Sequence, residues 1–384
     1  MNRSQFLAVI AVLVVLLAAG AGVLWWQKGE WRSADTRVGQ RLVPGLVISD
    51  VAEIRVQDSA SAVTLESKDG RWQVRERAGY PASVDRIAEF LNKLADLKTA
   101  QVEALADSQR PRLQLVEPKG PETKDAGTLV ELKYRDGKTT RLLLGKPVVR
   151  QNATTAPSKA ATAASGRYVA IGEPAVLAVV SDPLTQAEAR PAPWLARDLV
   201  RVHQTKQITS VGPDGKPRWS ASRPSESADW KSVTPGEPLD NNKVQDLVSV
   251  LIYIALADIA PDASQAGFES GPTLKIDTFN NYHYAITFGK QEGDLRYMKV
   301  ALEGDPPKTR TPDKGESAEE KEKKDKQYAE DYKGMLGQIE REKRLEGWTF
   351  LVKNEDVQAL LRDRAQMLPE KKDEKKDDKK GGKK

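Results

Sequence analysis

The pattern of apolar and polar positions divides the chain into segments of different kinds. From Phe6 to Trp26 the residues read FLAVIAVLVVLLAAGAGVLWW, with no charge among them. As a helix rising 1.5 Å per residue, such a run covers the ~30 Å hydrocarbon layer of a bilayer, so the pattern predicts a transmembrane helix over 6–26. Residues 1–5 are then a short flank and 27–43 a juxtamembrane linker. Trp25, Trp26 and Trp31 fit an aromatic belt at the membrane interface. A cleaved signal peptide is the competing reading, with Ala19-Gly20-Ala21 as its small-residue site; the apolar run continues past that point, which favours an uncleaved anchor. Lys28, Arg32, Arg37 and Arg41 follow the run, and a positive-inside count would keep the body in the cytoplasm. A signal-anchor this close to the N-terminus commonly leaves its short end inside instead, and long domains translocate largely regardless of charge.

Beyond residue 44 the dominant period is two, and the pattern is written twice. LVELKYRDGKTTRLLLGK, from Leu129, aligns without a gap on TLKIDTFNNYHYAITFGK, from Thr273, at a constant offset of 144. Val130 meets Leu274, Leu132 meets Ile276, Leu142 meets Ile286 and Leu144 meets Phe288. Alternation around Asp136-Gly137 in one copy and Asn280-Asn281 in the other predicts two strands joined by a tight turn. Each Gly-Lys pair is then expected to close the second strand of a hairpin. Upstream, EIRV, AVTLESK and GRWQV correspond to QITSV, PRWSASR and ADWKSV, three short strands per copy.

A helical period follows in both copies. Ser83 is a candidate N-cap for a stripe of Ile87, Phe90, Leu91, Leu94 and Leu97; Asp240 is the candidate cap for Val244, Leu247, Val248, Leu251 and Ile252. Downstream, RYVAIG answers RYMKVAL, and VLAVVSDPLTQAEA answers TFLVKNEDVQALLR, each copy ending in a short helix. The expected class is therefore α+β: two tandem β-rich repeats over 44–190 and 196–368, each an antiparallel sheet with one long packed helix. The copies differ at two inserts. Residues 151–166 form a small-residue flexible loop, and 304–347 a charged helical insert. Tyr328, Tyr332, Met335, Leu336 and Ile339 lie at helical spacing in that insert and form a stripe in need of a partner. The tail 369–384, PEKKDEKKDDKKGGKK, lacks any apolar residue and is expected to be disordered.

With 384 residues, 39% of them hydrophobic, the chain can supply more than one core. A net charge of only +5 on a 30% charged chain argues against a dedicated nucleic-acid binder. Near-balanced acids make solvated charge the first reading of the tail, with attraction to anionic headgroups as the alternative. Absence of cysteine excludes disulfides, thiolate nucleophiles, a lipoprotein anchor and cysteine-held zinc.

Little in the pattern carries chemistry. Gly145-Lys146 is preceded by three leucines and followed by Pro147, and Gln291 follows Gly289-Lys290, so neither has the loop or hydroxyl residue of a phosphate-binding site. His203 and His283 stand in different repeats with no companion ligands at motif spacing. No nucleophile motif appears, and no cofactor is expected. Among 55 acids some pair will lie close, but a carboxylate pair cannot be told from surface solvation by spacing alone. Trp72 and Trp230 occupy equivalent places and read as core anchors of the two repeats.

The layout resembles a known bacterial family. The EI-V, VTLE-KDGRW-V, VDRIAEFLNKLADL, LLLGKPV and RYVAI segments, behind an N-terminal apolar run, are similar to membrane-anchored domains of unknown function commonly encoded beside gliding-motility-type ABC transporter proteins. The resemblance extends from Val51 to about Met367 and implies a body exported from the cytoplasm. It implies no catalytic residue. The expected function is a non-enzymatic, membrane-anchored extracytoplasmic accessory or scaffold, with ABC transporter or auxiliary subunits as partners and Tyr328 to Ile339 as a docking stripe. A cell-envelope ligand binder or hydrolase using a cleft between the repeats is the alternative, and a cytoplasmic body whose lysine tail touches lipid or nucleic acid is a third reading.

Overall fold

The computed structural model describes residues 38–103, 107–149, 164–172, 176–235, 238–313 and 315–369. They form two units. The first takes the chain up to Gln73 and again from Val84 to Arg190; the second takes Val74–Ser83 and the chain from Pro191 onward.

The first unit is built from β1 (Val51–Gln57), β2 (Ala62–Lys68), β3 (Arg71–Val74), α1 (Val84–Asp96), β5 (Thr99–Glu103), β6 (Thr128–Tyr134), β7 (Thr139–Val149), β8 (Ala164–Ile171) and β9 (Val176–Val180). The two-residue strand β4 (Tyr80–Pro81) lies in the segment that belongs to the second unit. Strand order in the first unit is β3-β2-β1-β6-β7-β8-β9-β5, with antiparallel pairing. Ile54, Val56, Leu65, Val130, Leu132, Leu142 and Leu144 are fully buried in its core, together with Phe90 and Leu94 from α1. Each such side chain contributes about 1.5–3 kcal/mol on leaving water.

The second unit repeats the plan with β10 (Thr205–Val211), β11 (Pro217–Ser222), β12 (Lys231–Ser232), α2 (Asn241–Tyr253), β13 (Leu256–Ile259), β14 (Thr273–Thr278), β15 (Tyr282–Glu292), β16 (Leu295–Gly304), α3 (Ala318–Lys343) and β17 (Phe350–Lys353). Its order, β12-β11-β10-β14-β15-β16-β17-β13, is the same sequence of positions. The registers agree as well. Ile54 pairs with Leu132 as Ile208 pairs with Ile276, and Val130 with Leu142 as Leu274 with Ile286. Both hairpins turn on a residue of positive φ, Gly137 at 85° and Asn281 at 60°, which is why DG and NN stand there. Asp240 caps α2 by accepting from the N–H groups of Asn242 and Lys243, and Val244, Leu247, Val248 and Leu251 are buried.

The α+β class is corrected. The described residues are mostly β, two large antiparallel sheets with few helices. Each unit places eight strands around a single long core helix, and the strand after that helix, β5 or β13, was missing from the expected layout. These strands are short and, as TAQVE and LADI, carry little alternation. The short helix expected at the end of the first repeat is also absent, since 181–190 are turns and irregular backbone around Pro183. No helix of the described residues is long and apolar enough to cross a membrane. The span predicted over 6–26, Trp25, Trp26 and Trp31, residues 151–163 of the small-residue loop and residues 370–384 of the tail lie outside the described residues. The rest of that small-residue stretch, Ala164 to Gly166, is the start of β8.

Segment Val74–Ser83 is held by the second unit through its backbone and one ring. Ser83 N–H donates to the Trp194 carbonyl and Ala196 N–H to that of Pro81. The Tyr80 ring, 2% exposed, stands edge-on to Trp348 at 5.0 Å and to Phe350 at 6.4 Å. Arg77 makes two 2.7 Å bonds to the Asp258 carboxylate.

Candidate functional site

The two Gly-Lys pairs belong to the architecture. Neither ends its strand: β7 and β15 run through them, with register slips between Leu144 and Pro147 and between Phe288 and Gln291. At each bulge a loop carbonyl comes down on the glycine. A Cβ at Gly145 would lie 2.4 Å from the Leu113 oxygen, and one at Gly289 would lie 2.2 Å from the Ala266 oxygen. An arginine from the next strand then takes the glycine carbonyl: Arg167 Nε donates to Gly145 at 2.7 Å and Arg296 Nη1 to Gly289 at 2.7 Å. Burial pulls both guanidinium pKa values below the ordinary arginine range. Lys146 and Lys290 point outward.

A cavity of about 940 Å³ opens in the first unit. Its floor is one cross-strand row on the face of the sheet opposite α1, Leu129 on β6, Leu143 on β7 and Ala170 on β8. The chain from Asp107 to Thr123, bent by the 3-10 turns Asp107–Gln109 and Pro111–Leu113, arches over that row and adds Leu115. One register further along the sheet the face turns polar. Arg141 Nε bonds Glu131 at 3.0 Å and its Nη2 reaches Glu117 at 3.3 Å. Desolvation opposes the charge on Arg141, but Glu117 and Glu131 outweigh it and hold its pKa above the ordinary range. Arg110 pairs with Asp107 at 3.0 Å. Lys119 also lines the cavity, and its ammonium makes no ion pair or hydrogen bond among the described residues.

Sequence reasoning singled out none of these residues. The available signal was Leu142-Leu143-Leu144: three consecutive apolar residues in a strand put leucine on both faces, so something must cover the second face.

The same row in the second unit has a different character. Thr273, Thr287 and Lys299 hold the matching positions on β14, β15 and β16. The two threonine hydroxyls hydrogen-bond at 3.0 Å, and Lys299 Nζ sits 4.8 Å over the Phe268 ring.

The insert stripe makes several contacts within its own unit. Tyr328 donates to the Pro307 carbonyl, Met335 gives its carbonyl to Tyr282, and Ile339, 7% exposed, packs on Gly304. Tyr332 is half-buried; Leu336, 40% exposed, is the one large side chain of the stripe that stays open. Deeper in, the Glu342 carboxylate accepts from Tyr284 at 2.8 Å and from Gln338 at 2.9 Å. Desolvation raises the pKa of Glu342, raises that of Tyr284 and pushes Tyr282 up to about 12.

His203 is exposed, and His283 Nδ1 lies 2.6 Å from Asp277 on the open face of the second hairpin. Among the described residues no group of three or more His, Asp or Glu could hold a metal ion. Trp230 is 5% exposed with Arg223 stacked 4.7 Å from its ring, whereas Trp72 is only half-buried, so the two are not equal anchors.

A family model described as a domain of unknown function, DUF4340, matches residues 72–271. The match starts in β3 and ends just before β14, so it spans parts of both units. Comparison with curated proteins and with solved structures gave no significant match.

Proposed function

We propose a function from the premise that this chain belongs to the DUF4340 family of domains of unknown function: it is a non-enzymatic accessory protein, tethered at the cytoplasmic membrane by its first apolar stretch. In this reading the body lies outside the cytoplasm and acts as a scaffold for an ABC-type transport complex of the gliding-motility kind. The uncharged run from Phe6 to Trp26 supports the tether. The observation that carries the reading is how the polar groups are used. At the bulges, arginines hold glycine carbonyls, and at the cavity, arginines hold carboxylates; these side chains are engaged with one another and are not presented to a substrate. Such a body holds partners in place and has no evident chemistry to perform on them.

Detergent solubilisation of native membranes followed by affinity capture of the tagged chain tests the proposal. Transporter subunits are expected at stoichiometric yield, and recovery of the chain alone sinks the idea. A reporter fused to the C-terminus reads the side of the membrane on which the body lies.

A further inference from the structure

We propose that the open face of the second-unit sheet pairs with the same face of a second copy of this chain, in a twofold arrangement that sets Lys275 of each copy on Asp277 of the other. The inference does not depend on the accessory role, because it concerns one unit of the chain and is read with no other protein present.

The face is the one opposite α2. Across β10, β14, β15 and β16 the pairing lines up its side chains in rows. Thr209, Lys275, Ala285 and Ala301 form one row, and Gln207, Asp277, His283 and Glu303 form the next. All of them are exposed or half-buried, whereas Ile208, Ile276, Tyr284, Ile286 and Leu302 beside them in sequence are buried on the other face. The first unit treats the same place differently. There Glu131 and Arg141 stand at the positions of Lys275 and Ala285, and they pair with each other and with Glu117 of the chain that arches over them. In the second unit the Asp277 carboxylate lies 2.6 Å from His283 Nδ1 on the open side. Lys275 and Glu303 have neither an ion pair nor a side-chain hydrogen bond among the described residues.

Two properties fit these rows to each other. Charge is the first: the cation stands in one row and the acids in the next, with Lys275 and Asp277 on the same strand. A twofold axis that lies between two such sheets, runs along the rows and passes midway between them, turns the first row of one copy onto the second row of the other and keeps each strand opposite itself. Lys275 then meets Asp277 twice. Size is the second property. The same operation sets Thr209 against Gln207, Ala285 against His283 and Ala301 against Glu303. A short side chain therefore faces a longer one, which is how sheets interdigitate at their ~10 Å spacing. A partner carrying one sign of charge would suit one row and be repelled by the other. Two rows on four strands about 4.8 Å apart amount to roughly a few hundred Å² per copy, less than the ~800 Å² of a standard interface, so the pairing is weak in free solution and is read between chains held in one bilayer.

The chain has no cysteine, so an introduced thiol is unique. Full-length Ala301→Cys and Glu303→Cys chains, both changed at exposed positions and carrying different tags, are reconstituted together in liposomes and oxidised with copper phenanthroline. The mixed disulfide is expected to exceed either like-with-like dimer severalfold. Ser249→Cys, on the exposed side of α2, should stay unlinked. Lys275→Asp in both chains should lower the mixed yield about tenfold, and adding Asp277→Lys should restore it by reversing the pair. Amide exchange of the β14–β15 hairpin confirms that each variant is folded, and Lys275→Asp alone decides the matter where the reversed pair is not. Mixed and like dimers in statistical proportion, a yield indifferent to Lys275→Asp, or no recovery in a folded reversed pair overturns the face. No link at all overturns the second copy as its occupant.

Discussion

Replacing Gly289 by alanine tests the account of the bulge most directly. The added methyl would sit 2.2 Å from the Ala266 oxygen, 3.1 Å from its carbonyl carbon and 3.0 Å from Tyr297 Cβ. Carbon and oxygen in contact need about 3.3–3.6 Å, so the loop must retreat by roughly 1 Å. That retreat breaks the bond from Lys290 N–H to the Ala266 carbonyl, 2.8 Å long, at about 0.5–1.5 kcal/mol. It also lifts Ala266, fully buried, off Ala260 and Tyr297, an overpacking strain of about 1–3 kcal/mol. Together the loss is about 1.5–4.5 kcal/mol. Gly334→Ala is the control. Gly334 lies within α3 with nothing inside 4 Å of the added atom, so the same change should stabilise by about 0.5–1 kcal/mol. Urea unfolding followed by tryptophan fluorescence reads both. A Gly289→Ala protein within about 0.5 kcal/mol of the parent would refute the close-approach argument.

Gly145→Ala should behave like Gly289→Ala in the first unit, since its methyl meets the Leu113 oxygen at 2.4 Å and Leu115 Cδ2 at 2.8 Å; unfolding midpoints compare the two. Arg296→Lys keeps the charge but loses the geometry that reaches both Gly289 and Asn354, and a loss of about 1–3 kcal/mol is expected in the same assay. Tyr284→Phe removes a donor from half-buried Glu342 and should speed amide exchange across the C-terminal half of α3; unchanged exchange there would mean that the contact does not hold the helix. Glu342 gives a pH signature with a definite sign. Its pKa is raised above 4.5 in the folded protein, so the folded state binds the proton more tightly than the unfolded one. Between the unfolded and folded values stability therefore falls as pH rises, and Glu342→Gln should remove that slope; identical slopes for parent and variant from pH ~4 to ~7 would exclude it.

The hairpins were legible because two signals coincide there. Strict alternation fixes the face of Val130, Leu132, Leu142 and Leu144, and DG or NN fixes the turn, so even the register follows from the 144-residue offset. Helices α1 and α2 were legible by their stripes and, for α2, by its cap. What escaped depends on contacts distant in sequence. The cavity needs the 107–123 chain to fold back over β6, β7 and β8, and nothing local to Asp107 or Lys119 says that it will. The insert stripe has the spacing of a docking face, and spacing does not say that Tyr282, Tyr284 and Gly304 of the same unit receive it. A fold class read from one helix per repeat overweighted that helix against eight strands.

The ten residues from Val74 to Ser83 decide how this molecule can be divided. Although the text repeats, scissors applied at Arg190 do not yield two free-standing halves. The N-terminal piece would carry Tyr80 without Trp348 and Phe350 to receive it, and Arg77 without Asp258; the C-terminal piece would have a hole where that ring belongs. Any workable dissection must splice this decapeptide onto the second half, and two full chains mixed while partly melted have a ready piece to trade.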